Sequence, residues 1–299
     1  MTIEEFVRPQ ISPSAEAGRF RDAAELLSSA TRLPALVEGF PSFSPEHLEL
    51  NPTAFSLAEI ELMERHQGSS FYWTARNRTI GWLARRYFSA ARVVLDIGCG
   101  SGYVTRALAE NLPDARIYAT EASLAGLRSA ARLLENRAFL VHIDAHDLPF
   151  EGKFDLITSF DVLEHIEDDR SVLASTYRAL RPGGGVLHFV PQHPSLFSPA
   201  DAASRHFRRY RPSELQEKLR RAGFRVIFST SFIFWLFPIF AASRIKARLS
   251  GRYSVEAEHG QPRWLSTMLN GVQAVELALL KRGISYPVGV SRAVVAVRD

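Results

Sequence analysis

Three features of the sequence predict a doubly wound α/β fold. Short β-branched and apolar runs alternate with stretches of helical periodicity from Val93 to Val190. The first run, Val93-Val94-Leu95-Asp96-Ile97, ends in a glycine cluster, Gly98, Gly100 and Gly102, and a helical pattern of Ala, Leu and Arg follows at once. Strand, tight glycine turn and helix in that order make the nucleotide-binding corner of an open parallel sheet. Finally, 299 residues with 46% hydrophobic composition and one cysteine, Cys99, suffice for a large core and exclude a disulfide framework or a cysteine-rich zinc site.

The corner also selects a ligand. Gly98, Gly100 and Gly102 permit positive φ and let a ligand lie against bare backbone, while the new helix offers unpaired N–H groups. A dinucleotide fingerprint, G-x-G-x-x-G, needs its third glycine at position 103, which is Tyr103. Asp96 stands two residues before the first glycine. A carboxylate there repels pyrophosphate and attracts a sulfonium ligand with an α-ammonium group, which favours S-adenosylmethionine over NAD.

The run Leu95-Asp96-Ile97-Gly98-Cys99-Gly100-Ser101-Gly102 resembles the first motif of the class I S-adenosylmethionine-dependent methyltransferases of small-molecule type. Phe154 to Ile166, with Asp161-Val162-Leu163-Glu164-His165, and the turn Leu180-Arg181-Pro182-Gly183-Gly184 resemble later parts of the same family. The resemblance implies a Rossmann-like, seven-stranded sheet with helices on both faces and an inserted antiparallel last strand, Ser291 to Val297. It also implies S-adenosyl-L-homocysteine as product. Asp96, Gly98, Cys99, Gly100 and Gly102 would hold the methionyl part of the cofactor. Glu121 and Ala122, at the end of the strand Arg116 to Glu121, would take the ribose. Asp144 with the backbone of Ala145 would hold the adenine amino group, and Phe160, Asp161 and Val162 would face the cofactor.

Residues 1–90 read as an N-terminal cap or lid, followed by a methyltransferase domain over 91–299. Pro9, Pro13, Pro34, Pro41, Pro45 and Pro52 make the start irregular, apart from a helix over Ala15 to Ala30. Ser56 caps a short helix to Gln67, and an amphipathic helix follows through Tyr87. The segment before it carries Tyr72, Trp73 and Arg76, which in related methyltransferases would close on the methionyl end. The start, Met1 to Glu5, lacks the basic and apolar regions of a secretory signal, so a cytoplasmic location is expected.

The acceptor side is expected on the loop after the fifth strand, Val186 to Val190. His193 and His206 are candidate general bases there, and His165, Arg209, Tyr210 and Trp235 are candidate acceptor contacts. A sixth strand, Gly223 to Phe228, precedes an insertion over 229–289 with an aromatic run (Phe232 to Phe240), a basic stretch (Arg244 to Arg252) and a helix near Trp264 to Leu280. That insertion is read as plain packing, as an apolar lid, or as peripheral docking at the inner membrane face; its apolar run is too short to span a bilayer.

Neither an Asn-Pro-Pro-Tyr motif nor a Pro-Cys pair is present, which argues against nucleic acid as substrate. The histidines are scattered without ligand spacing, so no metal is expected. The favoured reading is metal-free O-methylation of a small molecule. N-methylation of a small amine, a membrane-associated enzyme on a lipid or lipid-linked sugar, and a non-catalytic binder are the alternatives. The oligomeric state, a homodimer included, stays open.

Overall fold

The computed structural model describes residues 17–45, 57–67, 70–251 and 262–299. The expectations on Met1 to Glu5, on the cap Ser56 and on Arg252 lie outside them. The N-terminal part holds helix α1 (Ala17–Ser28), strands β1 (Ala35–Val37) and β2 (Phe40–Ser42), and helices α2 (Leu57–Gln67) and α3 (Phe71–Phe88). The alternating body then runs β3 (Val93–Ile97), α4 (Tyr103–Asn111), β4 (Arg116–Glu121), α5 (Leu124–Leu134), β5 (Phe139–His142), β6 (Phe154–Phe160), α6 (Asp169–Ala179) and β7 (Leu180–Pro191). It closes with α7 (Pro199–Ala203), α8 (Glu214–Arg221), β8 (Arg225–Phe232), α9 (Phe237–Ser250), α10 (Arg263–Lys281) and β9 (Ser291–Val297).

The strands form one sheet in the order β1-β2-β5-β4-β3-β6-β7-β9-β8, parallel from β2 to β7. Strand β9 is inserted antiparallel between β7 and β8, as expected of the last strand. The sheet has nine strands rather than seven. The two extra strands come from the stretch read as irregular: Glu38 and Gly39 both take positive φ, and this two-residue turn closes a hairpin whose inner strand joins β5 through Ser42 and His142. Three boundaries also move. Strand β7 starts at Leu180 rather than Val186, β8 runs Arg225 to Phe232, and the insertion therefore begins after Phe232 rather than at 229.

Adjacent strand residues feed opposite faces of the sheet. Leu95, Ile157, Val186 and Val294 enter one core with α6 and α8, whereas Val94, Leu156, Leu187 and Val295 enter a second core under α3 and α4. Covering both faces explains why these strands are continuously apolar instead of alternating. Strand β3 is the switch point: the chain runs to β4 and β5 on one side of it and to β6 and β7 on the other. Ligands of open α/β sheets bind in the crevice above such a strand.

Candidate active site

A cavity of about 720 Å³ opens above the carboxyl ends of β3, β4 and β6 and is roofed by α2 and the start of α3. Its floor is the glycine turn. Gly98 takes φ +68°, and a Cβ there would lie 2.6 Å from Val162 Cγ2, so only glycine fits the conformation and the space. Gly100, at φ +54°, would place a Cβ in open space, which leaves its backbone accessible to a ligand.

The acids expected to hold a cofactor converge on this floor. Asp96 is buried beneath the turn and accepts hydrogen bonds from Thr105 Oγ1 of α4 (2.6 Å) and Thr158 Oγ1 of β6 (2.7 Å). Burial outweighs those two bonds and pushes its carboxyl up to about 6. Glu121 accepts from the backbone N–H groups of Gly100 (2.9 Å) and Ser123 (3.0 Å); burial raises its pKa too. Asp144, which accepts from His146 N (2.9 Å), lines the far end with Ala145. Cys99, Gly100, Ala122, Phe160, Asp161 and Val162 line it as well. Gly102 helps shape the turn at φ +87°. Cys99 is buried, and burial raises its thiol far above the usual range, as befits a small residue of the turn rather than a nucleophile.

Arg76 reaches the cavity from α3. It is buried, donates to Asp161 Oδ2 at 2.6 Å and stacks 4.7 Å over the Trp73 ring. The ion pair holds Asp161 in the left-handed region at φ +55°. Tyr72 is a correction: it packs edge-on against Trp73 and Phe232 and does not line the cavity. Trp73 and Arg76, three residues apart, share the cavity face of α3, and Tyr72 is turned about 100° round the helix from Trp73, onto the core side.

The acceptor side is sorted differently from expectation. His165 and His206 line the cavity edge-to-face with ring centroids 4.6 Å apart. Burial, with the neighbouring His206 adding to it, pushes His165 down to about 3, so its ring is neutral. His206 Nδ1 lies 3.1 Å from Asp201 Oδ1, which leaves Nε2 as the remaining ring nitrogen. Asp201, unassigned from the sequence, is also held by Arg209 Nε at 2.7 Å and by the Ser198 N–H and hydroxyl. Burial raises Asp201, but the His206 bond and the Arg209 charge prevail and hold it below the usual carboxylate range.

Arg209, Tyr210, His193 and Trp235 are corrections. Arg209 is buried against Asp201 and the Gln192 carbonyl, because its charge serves the Asp201 network. Tyr210 is fully buried; its hydroxyl donates to Asp169 Oδ2 at 2.6 Å. His193 bonds the Gly289 carbonyl and packs on Phe237, away from the cavity. Trp235 is 44% exposed, with its backbone N–H on Glu276. Among the described residues, none from 229–289 lines the cavity.

One further cluster was not legible as spacing. Glu164, His165 and His206 each offer a ligand atom, all within 4.8 Å of one another, because the loop before α8 folds back over the end of β6. Neither carboxyl oxygen of Glu164 meets a donor from another residue, and burial raises its pKa well above the usual range.

Residues 95–188 match the family described as "Methyltransferase domain". The chain is 32% identical over 165 residues to the ubiquinone biosynthesis O-methyltransferase of Pseudomonas aeruginosa, covering 49% of this chain and 70% of that protein. It is 30% identical over 112 residues to the malonyl-[acyl-carrier protein] O-methyltransferase of Priestia megaterium, covering 37% and 41%. Its fold is similar to phosphoethanolamine N-methyltransferase 2 of Haemonchus contortus bound to S-adenosyl-L-methionine, with TM-score 0.57, 22% identity, and coverage of 83% of this chain and 59% of that one. An accessible glycine turn ringed by Asp96, Glu121 and Asp144 suits that cofactor's cationic and ribosyl parts. Motif, fold and relatives agree: the chain belongs to the class I S-adenosylmethionine-dependent methyltransferases, with S-adenosylmethionine as its methyl donor.

Proposed function

We propose that the protein methylates a hydroxyl group of a small organic molecule. The observation that carries this is the Asp201-His206 pair on the cavity wall, an imidazole oriented by a buried carboxylate. The printed names of the two relatives, both O-methyltransferases, support a hydroxyl acceptor.

When bound, the cofactor supplies a methyl group already activated by the adjacent sulfonium. The chain's task is then alignment, exclusion of water and removal of one proton. Asp96, the glycine turn and the Arg76-Asp161 pair hold the methionyl part, Glu121 the ribose, and Asp144, Ala145 and Phe160 the adenine. Helix α2 and the start of α3 cap the cavity through Ile60, Gln67 and Trp73. His206 takes the hydroxyl proton at Nε2, and ionised Asp201 stabilises the resulting imidazolium through Nδ1.

Turnover of a panel of small phenols and alcohols tests this. His206→Ala should lower kcat about 100- to 10,000-fold while the cofactor Kd stays unchanged. Amine acceptors whose turnover ignores His206 would instead establish N-methylation. A second reading rests on the Glu164, His165 and His206 cluster, which would let a bound divalent cation acidify the hydroxyl. Chelation separates the two: turnover that survives it leaves His206 as the base.

A further inference from the structure

The insertion between β8 and β9 leaves its apolar residues outside the molecule. Of eleven large hydrophobic side chains exposed among the described residues, eight lie here: Ile284 past the end of α10, and Trp235, Ile239, Ile245, Leu249, Trp264, Met268 and Val275 on or beside the two helices. They follow helical spacing. On α9 the exposed stripe is Ala242, Ile245 and Leu249, while Phe237, Phe240 and Arg244 face inward. On α10 it is Trp264, Met268, Gly271 and Val275, opposite the buried Ser266, Gln273, Glu276 and Leu280. Leu249 is 82% and Trp264 69% exposed, far more than a core-facing stripe permits.

Among the described residues of the two helices the exposed charges have one sign; Glu256 and Glu258 belong to the segment between the helices, outside the described residues. Helix α9 carries Arg244, Lys246 and Arg248 and no acid. The only acid of α10, Glu276, is buried, where it accepts the backbone N–H groups of Phe234 and Trp235 and so ties the approach to α9 to the middle of α10. Lys281 and Arg282, both exposed, follow at its end. No helix among the described residues is long and apolar enough to cross a membrane.

Apolar stripes bordered, among the described residues, by cations complement an anionic lipid surface, into whose headgroup layer such helices settle without spanning it. We infer that α9 and α10 dock the protein on an anionic bilayer surface. The inference stands apart from the acceptor's identity, because no residue of either helix lines the cavity.

Co-sedimentation with vesicles of phosphatidylcholine, with and without phosphatidylglycerol, tests it. The full chain should pellet with the anionic vesicles, and less so at high salt. Leu249→Glu and Trp264→Glu should each weaken binding at least about tenfold, and Lys281→Ala or Arg282→Ala about fivefold. All four sites are exposed, so circular dichroism and the cofactor Kd should match the parent. Failure to pellet, or pelleting unchanged in the Glu variants, overturns the inference. So does a dimer in solution that Leu249→Glu or Trp264→Glu converts to monomer, since the faces would then belong to a second copy of the chain.

Discussion

The two halves of the cavity are built in different ways. On the cofactor half, each acid stands at the end of a parallel strand: Asp96 on β3, Glu121 on β4, and Asp144 just past β5. Their direction is set by strand register, and register is set by the hydrophobic pattern. On the acceptor half, the polar groups ride on the loop from Pro191 to Arg211, where packing decides which side chain faces inward. His206 reaches the cavity, while Arg209 and Tyr210, only three and four residues later, are buried in the wall. A functional role is therefore readable where the backbone fixes the direction, and unreadable where burial fixes it.

That contrast can be broken at three points. The largest effect is expected at Asp201, whose loss leaves Arg209 buried without its carboxylate. Asp201→Ala should destabilise the fold by about 3–5 kcal/mol in denaturant titrations. Asp201→Asn keeps a partner for both neighbours and should fold, but with kcat reduced. Equal stability of Asp201→Ala and the parent would remove the buried network from the account.

The next effect is on the backbone-defined half. Gly98→Ala combines an unfavourable φ with a Cβ 2.6 Å from Val162, and should cost about 1–3 kcal/mol while weakening cofactor binding. Calorimetry on the variant reads both quantities. A neutral outcome would mean that the turn is plastic and that its glycines are not what shapes the floor.

The smallest effect is pH-dependent. Asp96 has a carboxyl raised by burial to about 6, so it gains a proton as pH falls through that value and its attraction for an ammonium group fades. Cofactor affinity should decline below about pH 6, and Asp96→Asn should flatten the profile. The sign for stability is opposite: because the folded pKa lies above the unfolded one, the buried charge weakens the fold as pH rises from 3.8 to about 6.

The sequence carried the strand-helix alternation, the inserted last strand and the glycine corner because each is a local pattern. Its main omission in the fold was the β1-β2 hairpin. Pro34 and Pro41 look like breakers, yet Pro41 sits on a short strand whose turn, Glu38-Gly39, was the available signal. Its main omissions in the site were Asp201 and the meeting of Glu164 with His206. Those contacts depend on a loop returning across the end of β6, and no periodicity encodes such a return.

The hairpin has a kinetic consequence. Ser42 pairs with His142, and Ser44 accepts from the Asp144 N–H, both across 100 residues of chain. Closing so long a segment costs entropy before any contact repays it, whereas β4 and β5 pair across a much shorter stretch of chain. The strands β1 and β2 are therefore expected to seat after β4 and β5 have paired, and the loop that carries Asp144 to take its final shape only then.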